Sequence, residues 1–264
     1  MEGSLRPIHL ACRIAERAEA PVRGAEVLAE KLGARTIGSG ASARETGWEE
    51  DLRDARGCLL EAGGQVEDAL AAGDMPLLIS SDCAVGLTTL AAALRDRPEA
   101  RVLWLDAHGD YNTPGTTSSN FLGGMGLSGA VGEWDSGLAE PVAAERVVIA
   151  GVRDLDPPER ELLERSAVTV IGASLETLVY TQNAIDGAPV FVHLDLDVLD
   201  PEDHPAWMPA ENGLRADKVY DLLEAVADES EILGLTVTDA DPDPRAVDVA
   251  LHVMDPLLAG RTVA

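Results

Sequence analysis

The chain has 264 residues, 46% of them hydrophobic, and a formal charge of −27 with only two lysines, Lys31 and Lys218. That length can bury a large core in one α/β domain, while the charge argues against a nucleic-acid partner, whose phosphates need clustered cations. A basic leader and an apolar run of about 18 residues are both missing, and Cys12, Cys58 and Cys83 make an odd set, so the expectation is a cytoplasmic protein with no membrane partner and no disulfide framework.

Short runs of Val, Ile and Leu alternate with amphipathic stretches, as in parallel strands that are each followed by a helix. In chain order, a strand is predicted at 7–11, a helix over 11–30, and a second helix over 48–72. A strand at 76–80 then leads into S-S-D-C, Ser80 to Cys83. The next strand, 101–105, runs into W-L-D-A-H-G-D, Trp104 to Asp110, and a Gly-, Ser- and Thr-rich loop over 111–132. Strands follow at 146–150 and 167–171, separated by G-V-R-D-L-D-P. A strand at 189–194 runs into D-L-D-V-L-D-P, a helix covers 216–228, and the last strand, 232–237, leads to T-D-A-D-P. The predicted fold class is α/β, one three-layer α/β/α domain with a doubly wound, mostly parallel sheet over 1–264. In such sheets ligands sit at the carboxyl ends of the strands, which is where these acidic strings fall.

Asp106, His108 and Asp110 stand two residues apart beyond an apolar strand, so an extended chain aims all three the same way. Asp195 and Asp197 repeat the pattern on another strand. Four carboxylates and an imidazole gathered at one sheet edge repel one another unless cations neutralise them. Such ligands suit hard or borderline divalent ions, and two close ions activate water near neutral pH. Metal-assisted hydrolysis follows as the expected chemistry.

Together, D-A-H-G-D and D-L-D-V-L-D-P resemble the ureohydrolase superfamily of arginases, agmatinases and formimidoylglutamases. The resemblance implies a cofactor of two Mn2+ ions, with Asp106 and Asp195 bridging them, Asp110 completing one sphere, and His108 and Asp197 the other. Asp200 would be a turn-forming member of its motif. Cys83 falls where the family has a histidine ligand, and a soft thiolate suits manganese poorly, so the ion beside it is expected to be weakly bound or missing. N-T-P-G-T-T-S-S is similar to the arginase loop that binds the substrate's α-carboxylate, which implies contacts from Asn112 and Ser119. Asp156 in G-V-R-D-L-D-P would face the α-amino group. Asp239 stands where a longer acidic residue clamps the guanidinium, and with His108 and Asp110 it makes up the implied catalytic set.

Gly123 takes the place of a histidine thought to shuttle protons. That change and Cys83 resemble the branch of the superfamily that acts on Nω-hydroxy-L-arginine, whose tail is less basic than a guanidine and easier to attack. The implied reaction is cleavage of that compound or L-arginine to ornithine and hydroxyurea or urea, by a homo-oligomer, trimer or hexamer. The alternatives are an agmatinase or formimidoylglutamase, a zinc amide hydrolase, a phosphatase built on D-L-D-V, or a degenerate non-catalytic member. His193 is expected to be a core histidine and His204 a solvated loop residue. Trp134 and Trp207 are expected to serve in packing, and Cys12 and Cys58 as small core residues.

Overall fold

The computed structural model describes residues 3–264. Among these, eight strands form one sheet: β1 Leu5–Leu10, β2 Arg35–Ile37, β3 Met75–Ile79, β4 Arg101–Leu105, β5 Val147–Val152, β6 Thr169–Gly172, β7 Val190–Asp195 and β8 Ile232–Thr238. Their order is β2-β1-β3-β8-β7-β4-β5-β6, with every pairing parallel. The chain leaves β3 for β4 and only later inserts β7 and β8 between them. This reversal opens a crevice at the carboxyl ends of the four central strands.

The strands are apolar on both faces because helices cover both. Leu103 and Leu105 of β4 point into the cluster that also holds Leu222 and Leu223 of α7 (Ala216–Glu229) and Val253 of α8 (Pro244–Leu258). Val102 and Trp104 point the other way, toward Leu90 of α3 (Gly86–Leu94) and Leu127 of α4 (Gly126–Ala130). Each such side chain contributes roughly 1.5–3 kcal/mol when fully buried. α1 (Glu19–Leu32) joins the first layer and α2 (Trp48–Ala71) the second.

Several expectations need correcting. β2 went unpredicted because its three residues, largely exposed at the sheet edge, carry no apolar run. The first helix begins at Glu19 rather than residue 11, since Ala11 to Ala18 form a loop in which the Glu16 carboxylate accepts from the Ile14 N–H at 2.8 Å. The 111–132 loop contains α4. Cys12 and Cys58 form a disulfide that ties the end of β1 to α2. The two stretches looked unrelated by sequence, yet β1 and α2 pack together, and the pairing withdraws the cysteine argument for a reducing compartment. No helix among the described residues is long and apolar enough to cross a membrane.

Candidate metal centre and active site

Adjacent strands place the site. Ile79, Val237, Leu194 and Leu105 lie in register across β3, β8, β7 and β4. One residue further on, the row reads Ser80, Thr238, Asp195 and Asp106, at the rim of the sheet. Asp106 and Asp195 are 1% and 6% exposed. They line a cavity of about 250 Å³ together with Cys83, His108, Asp110, Asp197 and Asp239. A larger groove of about 640 Å³, beside Asp74 and the Arg97–Glu231 ion pair, lacks such a cluster.

Local turns aim the side chains inward. The His108 N–H donates to Asp106 Oδ1 at 2.6 Å and the Asp197 N–H to Asp195 Oδ1 at 2.8 Å, so each two-residue step closes on its own aspartate. The Ala107 N–H donates to Asp197 Oδ1 at 2.9 Å and couples the two motifs. Asp110 and Asp239 have φ of 48° and 52°, a left-handed conformation that aspartate tolerates better than most residues and that clusters at functional sites.

Three groups of ligand atoms lie mutually within 4.8 Å: Cys83, Asp106 and Asp195; Asp106, His108 and Asp197; and Asp195, Asp197 and Asp239. Asp106, Asp195 and Asp197 each belong to two of them. Asp110 Oδ2 is buried with no hydrogen-bond partner, a costly state for a carboxylate that a cation would relieve. The donor set, five carboxylates, one imidazole and one thiol, suits divalent metal. His108 Nδ1 lies 2.7 Å from Asp197 Oδ2 and 3.5 Å from Asp106 Oδ1. Burial alone would lower the His108 pKa, but the charges of Asp197 and Asp106 overcome it and hold the ring protonated. Burial raises the carboxylates of Asp106, Asp110, Asp197 and Asp239, and takes Asp195 to about 7.

The Cys83 thiol donates to Asp195 Oδ2 at 2.7 Å and lies 3.0 Å from Thr238 Oγ1. Burial pushes its pKa up, and Asp195, Asp110 and Asp106 push it further. His193 is a fully buried histidine, held neutral by burial at a pKa of about 3, but it does more than fill the core. Its ring stacks on Trp104 with centroids 3.6 Å apart, and Nε2 lies 3.3 Å from Cys83 Sγ. His204 is also corrected. It is fully buried rather than solvated, and its Nε2 donates to the Asp239 carbonyl at 3.1 Å. Trp207 lines the cavity, whereas Trp134 packs against Trp48 outside it.

Asn112, Ser119 and Asp156 line the same cavity. Asn112 is buried and donates to Asp156 Oδ2 at 3.3 Å, while Ser119 is exposed on its loop. Four supporting residues were not picked out from sequence. The Trp104 indole N–H donates to Asp106 Oδ2 at 2.9 Å. Glu159 caps α5 (Pro157–Arg165) and accepts from the Tyr111 N–H at 2.8 Å, and burial raises its pKa to about 7. Arg153 donates to the carbonyls of Asp197, Val198, Leu199, Ala210 and Gly151. Phe121 meets Trp207 over the cavity. Glu159 was detectable as the fourth residue of D-P-P-E, a capping pattern; the other three carry no such local signal.

A model of the Arginase family matches residues 36–257. The N(omega)-hydroxy-L-arginine amidinohydrolase of Streptomyces lavendulae is 34% identical over 256 residues, covering 92% of this chain and 93% of its own. The arginase of Bacillus caldovelox is 29% identical over 239 residues, covering 81% of this chain and 77% of its own. A solved structure of arginase from Bacillus caldovelox superposes with a TM-score of 0.82 at 22% identity, over 99% of each chain, a likeness of fold.

Proposed function

Because the chain belongs to the arginase family, metal-dependent hydrolases of guanidino C–N bonds, we propose that it is a manganese-dependent amidinohydrolase cleaving Nω-hydroxy-L-arginine in preference to L-arginine. The products are ornithine and hydroxyurea, or urea from arginine. One observation carries the reading: three overlapping metal-sized ligand groups share one small cavity, with Asp106, Asp195 and Asp197 each common to two of them, an arrangement suited to holding two ions. Asp106, Asp110, Asp195 and Cys83 would hold one ion, and Asp106, His108, Asp195 and Asp197 the other, the first weakened by its thiol. Bound manganese would supply the Lewis acidity that makes water nucleophilic near neutral pH.

The chain's own residues would orient the substrate. Asn112 and Ser119 would receive the α-carboxylate, Asp156 the α-amino group, and Asp239 the guanidine-like tail, its carboxylate steadied by the Trp207 N–H at 3.3 Å. Water oxygen bonds to the guanidine carbon, the C–N bond to the ornithine nitrogen breaks, and that nitrogen takes a proton. The absence of a side chain at Gly123 favours a tail already partly neutral near pH 7. Residues 1–264 would act as one catalytic domain, and the cytoplasmic setting and the trimer or hexamer implied by the resemblance go with this reading.

The test is turnover of hydroxyarginine, arginine, agmatine and formimidoylglutamate side by side with added Mn2+. Hydroxyarginine is expected to rank first. Agmatine first would move the chain to another ureohydrolase activity, and tight hydroxyarginine binding with no hydroxyurea released over hours would mark a degenerate member.

A further inference from the structure

Phe121 occupies the space where a side chain on Gly123 would begin. A Cβ at Gly123 would fall 2.5 and 2.6 Å from Phe121 Cε1 and Cζ. A free phenyl ring would swing aside from such a neighbour, but this one is held from two directions. Trp207 meets it edge to face, with centroids 5.3 Å apart and planes at 71°, and Arg17 Cζ lies 5.2 Å from its centroid. Arg17 is itself fixed by donating to the carbonyls of Ser119, Thr46 and Asn120 at 2.9, 2.9 and 2.8 Å. The two rings thus join the loop after β4 to the loop after β7 and give an acidic cavity one apolar side.

We propose that Phe121 and Gly123 together determine specificity: the ring fills the space beside Gly123 and bars a proton-carrying side chain from that part of the pocket, and the pair so keeps the site selective for hydroxyguanidines over fully protonated guanidines. The inference rests on the amidinohydrolase reading and deepens it to a substrate class. Water must lose a proton as it adds to the guanidine carbon and the departing ornithine nitrogen must gain one; a fully protonated guanidinium has no basic nitrogen to share in that transfer, so a side-chain relay has to carry it. A hydroxyguanidine is partly neutral near pH 7 and does without the relay. Gly123 and Phe121 are then one coupled feature, and restoring a histidine at 123 gains nothing while the ring stays.

A double-mutant cycle on the metal-loaded full chain tests this, with Gly123→His, Phe121→Ala and the pair. The readouts are the thermal midpoint and kcat/KM for hydroxyarginine and for arginine. Gly123→His is expected to lower the midpoint by about 5 °C with Phe121 present and by clearly less in its absence. Only the double variant should lower the preference for hydroxyarginine, by about tenfold or more. Phe121→Leu serves where Phe121→Ala does not fold. Additive midpoints, or a gain in arginine turnover from Gly123→His alone that equals the pair's, overturn the proposal. Wild-type protein that turns over neither substrate overturns the reading beneath it; wild-type turnover of hydroxyarginine with an unchanged preference in the double variant overturns the role of Phe121 alone.

Discussion

Cys83 was legible from its motif as a departure, but its surroundings were not. The thiol is locked between Asp195 and Thr238 with His193 behind it, and burial among carboxylates holds its proton on. Giving up that proton to bind a cation costs affinity, whereas a neutral imidazole donates without one. Cys83→His is therefore expected to raise bound manganese toward two equivalents per chain, by elemental analysis, and arginine turnover by roughly tenfold, within the range seen when a metal's surroundings are altered. Unchanged stoichiometry would remove Cys83 from the ligand set. His204 and His193 mark the limit of residue-level reading. Lone histidines carry no signal of depth, and only packing puts one against the Asp239 carbonyl and the other against Cys83.

Elements decide whether two motifs meet. Strands β4 and β7 are adjacent and in register, so motifs about 90 residues apart in sequence share the Ala107–Asp197 hydrogen bond. Arg153, just past β5, then fastens the turn after β7 through the carbonyls of Asp197, Val198 and Leu199, and ties it to Gly151 of β5 and to Ala210 of the following loop, with distances from 2.7 to 3.2 Å. A planar fork can span that many acceptors and an ammonium cannot. Arg153→Lys is expected to destabilise the protein by about 2–3 kcal/mol in urea unfolding, since charged hydrogen bonds are lost from a half-buried site, and to lower manganese affinity because Asp197 loosens with its turn. A variant as stable as wild type would reduce Arg153 to a surface residue.

At the scale of the whole molecule, the chain gathers like charge at one end of its sheet, and stability should record it. Glu159 titrates near 7 when folded, raised by burial from its ordinary 4.5. An acid whose folded pKa is raised stabilises the fold below its unfolded pKa, and that contribution is lost as pH climbs through the folded value. His108, raised by Asp197 and Asp106, tilts stability the same way above its ordinary 6.5. Metal-free protein should therefore lose stability between about pH 4.5 and 7.5, with Glu159→Gln flattening the loss by roughly 3 kcal/mol. Mn2+ at a hundred times its Kd should restore about 2.7 kcal/mol near pH 7.5. Chemical unfolding with and without metal at the two pH values checks both, and metal-free protein that is more stable at pH 7.5 contradicts the account.

The amino-acid order alone determined the alternation of apolar strands with amphipathic helices, and the acidic strings at three strand ends, because periodicity and charge spacing are local properties of a chain. It could not determine the pairing of Cys12 with Cys58, the edge strand β2, the burial of His204 or the ring filling the space at Gly123. Those follow from which distant segments come to lie side by side. Contact between segments separated by tens of residues is set by the packing of layers against the sheet, and leaves no trace in either segment read by itself.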